Sequence, residues 1–126
     1  MHAWNAAGAQ IRFEAASGRA EADVVVQYGA LRQQGRANVG YEPDGTTVWL
    51  VRGLKRRVAT TIVAHELGHV LGLGHESHGC ALMAPVVNVG AASRCGLAAC
   101  RVLWSCLVQP DDAKGLRLLY GRRPPS

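Results

Sequence analysis

The sequence lacks the features that mark several large classes of protein. No apolar run reaches the length of a bilayer-spanning helix, so we expect no membrane partner. The N-terminus has no basic segment followed by an apolar one, as a signal peptide would, which predicts a mature or trimmed unit. No internal repeat and no nucleic-acid-binding motif is present, so nucleic acid is not an expected partner either.

Length and charge predict one basic globular unit. The 126 residues, 48% of them hydrophobic, suffice for a single domain, 1–126, with a linker-like tail at 122–126. The net charge is +5. The basic residues are scattered apart from two short runs, Lys55-Arg56-Arg57 and Arg122-Arg123. Neither run is interleaved with aromatic residues, so we interpret them as solvated surface, although positive charge can bias which substrates bind.

One eleven-residue stretch fits the pattern H-E-x-x-H-x-x-G-x-x-H at every fixed position. His65 and His69 are four residues apart, so on a helix both imidazoles can reach one metal ion. Glu66 stands three residues before His69, close enough to hold a water on that metal. Gly72 can adopt the left-handed conformation that ends a helix and lets His75 return as a third ligand. Three neutral nitrogens leave the fourth tetrahedral position open, as in catalytic zinc sites.

A chance origin of this pattern has to be weighed against the zinc interpretation. H-E-x-x-H alone occurs by chance on helices, and histidines four apart are often mere surface residues. Here three of the five histidines fall in the eleven-residue window with a glycine at the bend, so we interpret the stretch as a zinc site. His78 lies outside the pattern, and we expect it to be an exposed loop residue.

The motif resembles that of the metzincin metallopeptidases, and two further segments agree. Met83, in Ala-Leu-Met-Ala-Pro, is similar to the Met-turn that lies beneath the zinc in that clan. An isolated methionine would more often be a core residue, but Met1 is the only other one in this chain. Residues 109–121, with an Asp-Asp pair and a Leu-Tyr-Gly end, resemble the C-terminal helix of the matrixins, the matrix metallopeptidase family.

Some positions depart from the matrixin pattern. Glu76 follows the third ligand, where matrixins carry a small residue and astacins a glutamate, but Pro85 stands where astacins have a tyrosine. No cluster of histidines and aspartates precedes the active-site helix, where matrixins hold a structural zinc and calcium ions. One catalytic Zn²⁺ is therefore implied, and calcium dependence stays open. The N-terminus resembles the end of the family's first helix, so the first strand and the start of that helix are expected to be absent.

The resemblance implies an α+β, zincin-like (metzincin) fold. It comprises a twisted mixed β-sheet with an edge strand lining the cleft, an active-site helix and a C-terminal helix. Alternating or β-branched segments predict four strands, at 10–14, 22–28, 35–41 and 46–51. The valine run in the second of these is typical of a central strand. A turn at Pro43, Asp44 and Gly45 would join the last two as a hairpin.

Two helices are predicted as well. The first covers 58–71, and five of its side chains are available for burial: Val58, Ile62, Leu67, Val70 and Leu71. The second covers 111–120, with Pro110 or Asp111 near its start.

The four cysteines lie within one stretch, from Cys80 to Cys106. Their spacing is not the paired C-x-x-C of structural zinc sites, and an even number suits two disulfides with three possible connectivities. Among these we favour Cys95–Cys100 with Cys80–Cys106. Four reduced thiols in a cytosolic protein is the alternative. The peptidase interpretation favours the oxidised, secreted case.

In the family, a substrate adds itself as an extended strand to the edge of the sheet. By resemblance that edge is 37–41, with Asn38, Val39 and Gly40 nearest the peptide. The pocket for the residue after the cut bond would lie beside His65 and be walled by Pro85, Val86, Val87 and Asn88. These residues are apolar or small, which predicts a preference for hydrophobic side chains there.

The motif and the resemblance together predict a monomeric, zinc-dependent endopeptidase that acts on protein or peptide substrates. Glu66 would be the general base, and Met83 would shape the floor of the site without touching substrate. A zinc-binding module without hydrolysis is one alternative, against which the intact Glu66 argues. An aminopeptidase of the same clan is another, and it needs an acidic group at one end of the cleft, for which Glu42 and Glu76 are candidates by type.

Overall fold

The computed structural model describes residues 1–42, 44–77, 81–85 and 107–125. Together they form an α+β arrangement of helices packed on a small sheet. The elements in chain order are α1 (His2–Asn5), a short 3-10 helix (Arg19–Glu21), β1 (Val24–Tyr28), β2 (Gly35–Arg36), β3 (Thr46–Leu50), α2 (Arg56–Val70) and α3 (Pro110–Tyr120). Within the described ranges, no helix combines the length and the apolar character that a membrane span requires.

The three strands form one mixed sheet in the order β1-β3-β2. β3 runs parallel to β1 and antiparallel to β2. Thr46, Val48 and Leu50 of β3 are buried, and they alternate with half-buried Thr47 and Trp49, as expected of a strand with one face on the core. The prediction that the valine-rich β1 would be central was wrong. A β-branched run suits an edge strand as well as a central one, and it carries no information on pairing order.

Residues 10–14, predicted as a strand, form none, and this prediction was wrong as well. The Asn5 side chain takes the place of a strand partner for Phe13. Its Nδ2 donates to the Phe13 carbonyl oxygen at 2.8 Å, and the Phe13 N–H donates to Oδ1 at 2.8 Å. The nearby Ala9 forms an isolated bridge with Arg122, so the start of the C-terminal tail pairs with the chain that follows α1.

β2 is shorter than the predicted strand at 35–41, since only Gly35 and Arg36 pair with β3. Beyond them the chain leaves the sheet. Gly40 adopts a positive φ of 91°, and its N–H donates to the carbonyl oxygen of His69 at 2.6 Å. That bond ties the segment to α2, which explains why strand pairing ends early.

The predicted hairpin between β2 and β3 is confirmed by their antiparallel pairing. At the predicted turn, Gly45 adopts a φ of 94° and its N–H donates to the carbonyl oxygen of Glu42 at 3.0 Å. Pro43 lies outside the described residues.

α2 begins two residues before its predicted start and ends at Val70. Gly72 then adopts a φ of 90°, and its N–H donates to the His69 carbonyl oxygen at 2.8 Å, which confirms the predicted left-handed turn. Of the five side chains predicted for burial, Val58 is half-buried and the others are buried, namely Ile62, Leu67, Val70 and Leu71.

α3 confirms the second predicted helix, with Pro110 at its first position. Gln109 and Asp112 form a capping box at its start, and Gly121 follows its end with a φ of 76°.

Long-range hydrogen bonds fix α1 and α3 against the active-site helix. Trp4, only 2% exposed, packs in the core, and its indole Nε1 donates to the Ala64 carbonyl oxygen at 2.8 Å. From α3, the Tyr120 hydroxyl donates to the Leu71 carbonyl oxygen at 2.8 Å. The part of α2 that contains the candidate site is thereby held at Ala64 and just after its last residue, at Leu71.

Candidate metal centre

Three histidines from the predicted motif converge at the end of α2. His65 and His69 lie one helical turn apart and are 4% and 7% exposed. The turn at Gly72 brings the exposed His75 back toward them. One ring nitrogen from each lies within 4.8 Å of the others, so the three side chains could hold a metal ion.

Hydrogen bonds to main-chain carbonyls fix the state of two of these rings. His65 Nδ1 lies 2.7 Å from the Leu82 carbonyl oxygen, and His69 Nδ1 lies 2.8 Å from that of Leu73. Because a carbonyl oxygen only accepts, both Nδ1 atoms must carry the proton. In the neutral ring the Nε2 lone pair is then free, which is the state that a histidine ligand adopts when its other nitrogen is so bonded.

The geometry fits a tetrahedral zinc site with small adjustments. His69 Nε2 and His75 Nε2 lie 3.2 Å apart. Two nitrogens on one tetrahedral zinc, each bound at roughly 2.0–2.1 Å, would lie about 3.3 Å apart. All three ligand nitrogens lie within 4.8 Å of one another, so ring movements of about 1.5 Å or less would bring every pair to that distance. A donor set of three imidazoles leaves one coordination position open.

Burial favours the neutral, metal-binding form of both helix histidines. Desolvation lowers the pKa of His65, and the neighbouring His69 and His75 lower this pKa further. The hydrogen bond to the Leu82 carbonyl acts in the opposite direction. Desolvation likewise lowers the pKa of His69. Near neutral pH the rings therefore keep their lone pairs available.

Glu66 lies in the same cleft, only 7% exposed. Burial raises the pKa of its carboxyl group to about 7, and a hydrogen bond from the Ala37 main chain opposes that rise. A divalent cation bound beside Glu66 would also lower the pKa of its carboxyl group, because a positive charge favours the carboxylate. The Ala37 N–H, just beyond β2, thus holds the carboxyl group at the edge of the sheet.

The cleft has a volume of about 480 Å³, and β2 with the residues around it forms one wall. Gly35 permits this close approach, because a Cβ at that position would run into Ile62 and would lie 3.2 Å from atoms of Glu66. The lining consists of Gln33, Gln34, Gly35, Arg36, Ala37, Ile62, His65, Glu66, His69, His75 and Pro85.

The predicted strand 35–41 supplies Gly35, Arg36 and Ala37 to this wall, whereas Gln33 and Gln34 precede it and were not predicted. Asn38, Val39 and Gly40, predicted to lie nearest a substrate, do not line the cleft. The Asn38 side chain donates to Glu42 at 2.7 Å, Val39 is 61% exposed, and the Gly40 N–H is bonded to α2. Their contact with a substrate stays a prediction.

On the other side of the site, Pro85 lines the cleft. Its predicted companions Val86, Val87 and Asn88 lie outside the described residues, as do His78 and all four cysteines. The predicted disulfides and the pocket wall at 86–88 therefore stay predictions.

A buried carboxylate supports the site from below. Asp112 of α3 accepts hydrogen bonds from the N–H groups of Leu82 at 2.8 Å, Met83 at 3.1 Å and Gln109 at 2.8 Å. The Leu82 carbonyl in turn bonds His65, so Asp112 reaches the metal centre through a single peptide unit. Desolvation raises the Asp112 pKa, and these three bonds act in the opposite direction. The sequence analysis had noted the Asp-Asp pair without this role.

Met83 packs directly beneath α2 and is 2% exposed. A Cβ on Gly68 would collide with the Met83 sulfur and would lie 2.8 Å from the indole of Trp4. The absence of a side chain at Gly68 therefore lets the methionine and the helix meet, one residue before His69.

Comparisons with known proteins agree with this geometry. The family model described as Matrixin matches residues 42–121. Human matrix metalloproteinase-19 is 40% identical over 84 residues, which are 67% of this chain and 14% of that protein. Metalloendoproteinase 5-MMP from Arabidopsis thaliana is 35% identical over 91 residues, 64% of this chain and 22% of that protein.

A third relative is stromelysin-2 from Rattus norvegicus, 33% identical over 84 residues, which are 67% of this chain and 13% of that protein. The chain thus spans less than a quarter of the length of each of these relatives. No solved structure gives a significant match.

Proposed function

Because the chain belongs to the matrixin family, we propose that it is a zinc-dependent endopeptidase with a metzincin fold. In this proposal His65, His69 and His75 hold the zinc ion and Glu66 is the general base. Matrixins are zinc enzymes, and two of the relatives reported above are metalloproteinases by name.

One observation carries the proposal. The Nδ1 atoms of His65 and His69 are both bonded to main-chain carbonyls, which leaves their Nε2 lone pairs available, and one ring nitrogen from each of the three histidines lies within 4.8 Å of the others. Surface histidines that share a helix face by chance have no reason to show that arrangement.

Bound zinc would lower the pKa of a water molecule to about 7 and polarise the carbonyl group of the substrate. Glu66 accepts the proton of the attacking water and returns it to the leaving amide nitrogen. The Ala37 N–H donates to this carboxyl group and so positions it in the cleft that Glu66 lines. Met83 supports the helix from below and takes no part in proton transfer.

A substrate in this proposal lies extended along the wall formed by β2, where main-chain bonds supply affinity. Asn38, Val39 and Gly40 would contact only its far end, because they follow β2 outside the lining. Pro85 with Val86, Val87 and Asn88 would receive the side chain after the cut bond and favour hydrophobic residues. A library profile that shows charged residues at that position would contradict this pocket.

The test is cleavage of a mixed quenched-peptide library by the zinc-loaded chain, beside Glu66→Ala and a chelated sample. Glu66→Ala removes the base and none of the ligands, so zinc content measured by atomic absorption should stay at one ion per chain while hydrolysis is lost. Glu66→Ala that still cleaves would overturn the role of Glu66.

The products separate the remaining alternatives. Cuts at internal bonds identify an endopeptidase, whereas release of single N-terminal residues identifies an aminopeptidase. Bound zinc without any cleavage by the unaltered chain would indicate a binding module. Secretion, the monomeric state and the disulfides remain predictions beside this proposal.

A further inference from the structure

Six exposed cations gather at one end of the sheet, here called the basic end: Arg32, Arg36, Arg52, Lys55, Arg56 and Arg57. The parallel strands β1 and β3 both finish at this end, and the antiparallel β2 starts there. α2 begins just after the loop that follows β3. The topology thereby brings the run Lys55-Arg56-Arg57, interpreted above as solvated surface, together with three arginines that are scattered in the sequence.

Contacts hold these stretches together. The Val51 N–H donates to the Gln34 carbonyl oxygen at 3.0 Å, joining the loop after β3 to the one before β2. The Arg52 guanidinium lies 4.8 Å from the ring centre of Tyr28, the last residue of β1. The basic end is therefore a defined surface formed by three neighbouring segments.

Apart from Glu66 in the cleft, the carboxylates nearest the strands in sequence lie toward the opposite end of the sheet. Glu42 and Asp44 are the only carboxylates between Val24 and His65, and both precede the first residue of β3. Outside the basic end, the eight remaining lysines and arginines are outnumbered by nine aspartates and glutamates. The net positive charge of the whole chain is thus due to this one surface.

The start of α2 adds to the positive electrostatic potential of the basic end. A helix N-terminus carries partial positive charge and is stabilised by carboxylates, as at α3, whose first turn contains Asp111 and Asp112. The first turn of α2 has no acidic residue, and Lys55, Arg56 and Arg57 stand there instead. These cations work against helix stability and add to a positive potential that faces solvent.

The basic end is continuous with the cleft. Arg36 lines the cleft beside Glu66, and Gln34, which also lines it, is bonded to the residue before Arg52. Arg56 precedes His65 by nine residues of α2, roughly 14 Å along the helix axis. An extended peptide covers that distance in about four residues.

We propose that the basic end extends the substrate cleft and selects peptides with acidic side chains on one side of the cut bond, within about four residues of it. This inference rests on the proposed endopeptidase function and names its substrate class. An acidic segment complements the six cations, and a strand lying along β2 carries its alternate side chains to them.

The experiment compares three quenched peptides that share one central sequence. Two carry a pair of glutamates, either before or after the cut bond, and the third has glutamines at those positions. The zinc-loaded chain should cleave one glutamate peptide with a kcat/KM about fivefold or more above the glutamine peptide at low ionic strength. The advantage should vanish near 1 M salt, where screening acts over about 3 Å.

Two triple variants localise the effect. The faster cleavage of the glutamate peptide should be lost in Arg52→Gln/Lys55→Gln/Arg56→Gln. It should be kept in the control Arg12→Gln/Lys114→Gln/Arg122→Gln, which loses the same charge at exposed positions elsewhere. The first variant loses the Arg52–Tyr28 contact but also removes unfavourable cations from a helix N-terminus, so its Tm should lie close to that of the unaltered chain. Equal rates for all three peptides, or an advantage lost equally in both variants, would overturn the inference.

Binding separates this inference from the proposed function. Fluorescence anisotropy of the same peptides with zinc-loaded Glu66→Ala reports affinity without turnover. If no peptide is cleaved by the unaltered chain, the endopeptidase proposal fails. Tighter binding of one glutamate peptide, lost in the first triple variant, would still support the basic end, and equal binding of all three would overturn it.

Discussion

Replacement of Asp112 by asparagine tests how the metal centre is supported. The Asp112 carboxylate is 4% exposed and accepts three main-chain N–H groups, two on Oδ2 and one on Oδ1. Asparagine keeps one acceptor oxygen and places an NH₂ group where the other stood. With the oxygen retained toward Leu82 and Gln109, the NH₂ group faces the Met83 N–H, and that donor loses its partner.

The magnitude follows from these three bonds. An unsatisfied buried donor costs about 1–3 kcal/mol, and the two surviving bonds weaken because their acceptor is no longer charged. We therefore expect Asp112→Asn to lower the free energy of unfolding by about 2–4 kcal/mol. The exposed neighbour gives the matched control, because Asp111→Asn removes a helix-dipole interaction of only about 0.3–1 kcal/mol.

The variant should also weaken zinc binding, which a purely structural defect elsewhere would not do. The peptide group between Leu82 and Met83 donates its N–H, that of Met83, to Asp112, and its carbonyl oxygen, that of Leu82, accepts from His65, so a shift of this peptide group misaligns the ring. Loss of such an outer partner typically costs about 10–100-fold in metal affinity. Urea unfolding of the chelated chain and competition with a zinc-binding dye measure the two effects. Equal losses in Asp111→Asn and Asp112→Asn, or unchanged zinc affinity in Asp112→Asn, would refute the reasoning.

Three further predictions concern packing, metal removal and pH. Gly68→Ala should lower the free energy of unfolding, measured in urea, by about 1–3 kcal/mol, because its methyl group collides with Met83. Gly74→Ala should lower it far less, since no atom lies within 4 Å of the added carbon. Equal losses in the two variants would contradict this reasoning. Chelation should lower Tm, since the metal joins α2 to the chain after Gly72. The free energy of unfolding of the chelated chain should fall as the pH is lowered through 6.5. Burial lowers the pKa values of His65 and His69 in the folded state, so the unfolded state binds more protons in that range. A free energy of unfolding that does not change with pH there would argue against neutral rings.

The sequence predicted what depends on local geometry. The spacing of His65 and His69 sets both rings on one face of any α-helix, and the left-handed turn at Gly72 needs only a glycine at a helix end. α2, α3 and β3 were predicted within two residues at each end for the same reason, since periodicity and end signals lie within each segment.

Features that depend on distant partners were not predicted. The 10–14 segment alternates like a strand, but Asn5 satisfies the Phe13 main chain, and no local pattern announces that bond. β2 ends early because Gly40 bonds the His69 carbonyl, a partner 29 positions away. The basic end likewise arises from strand order, which scattered arginines in a sequence do not reveal.

The anchoring of Leu82 and Met83 to α3 has a consequence for how this chain could diversify. Asp112 fixes the segment just before residue 86 and, through Gln109, the segment just after residue 106, so the intervening stretch starts and finishes at tethered points. Substitutions between residues 86 and 106 therefore leave in place the described bonds that orient His65, because Leu82, Met83, Gln109 and Asp112 form those bonds outside that stretch.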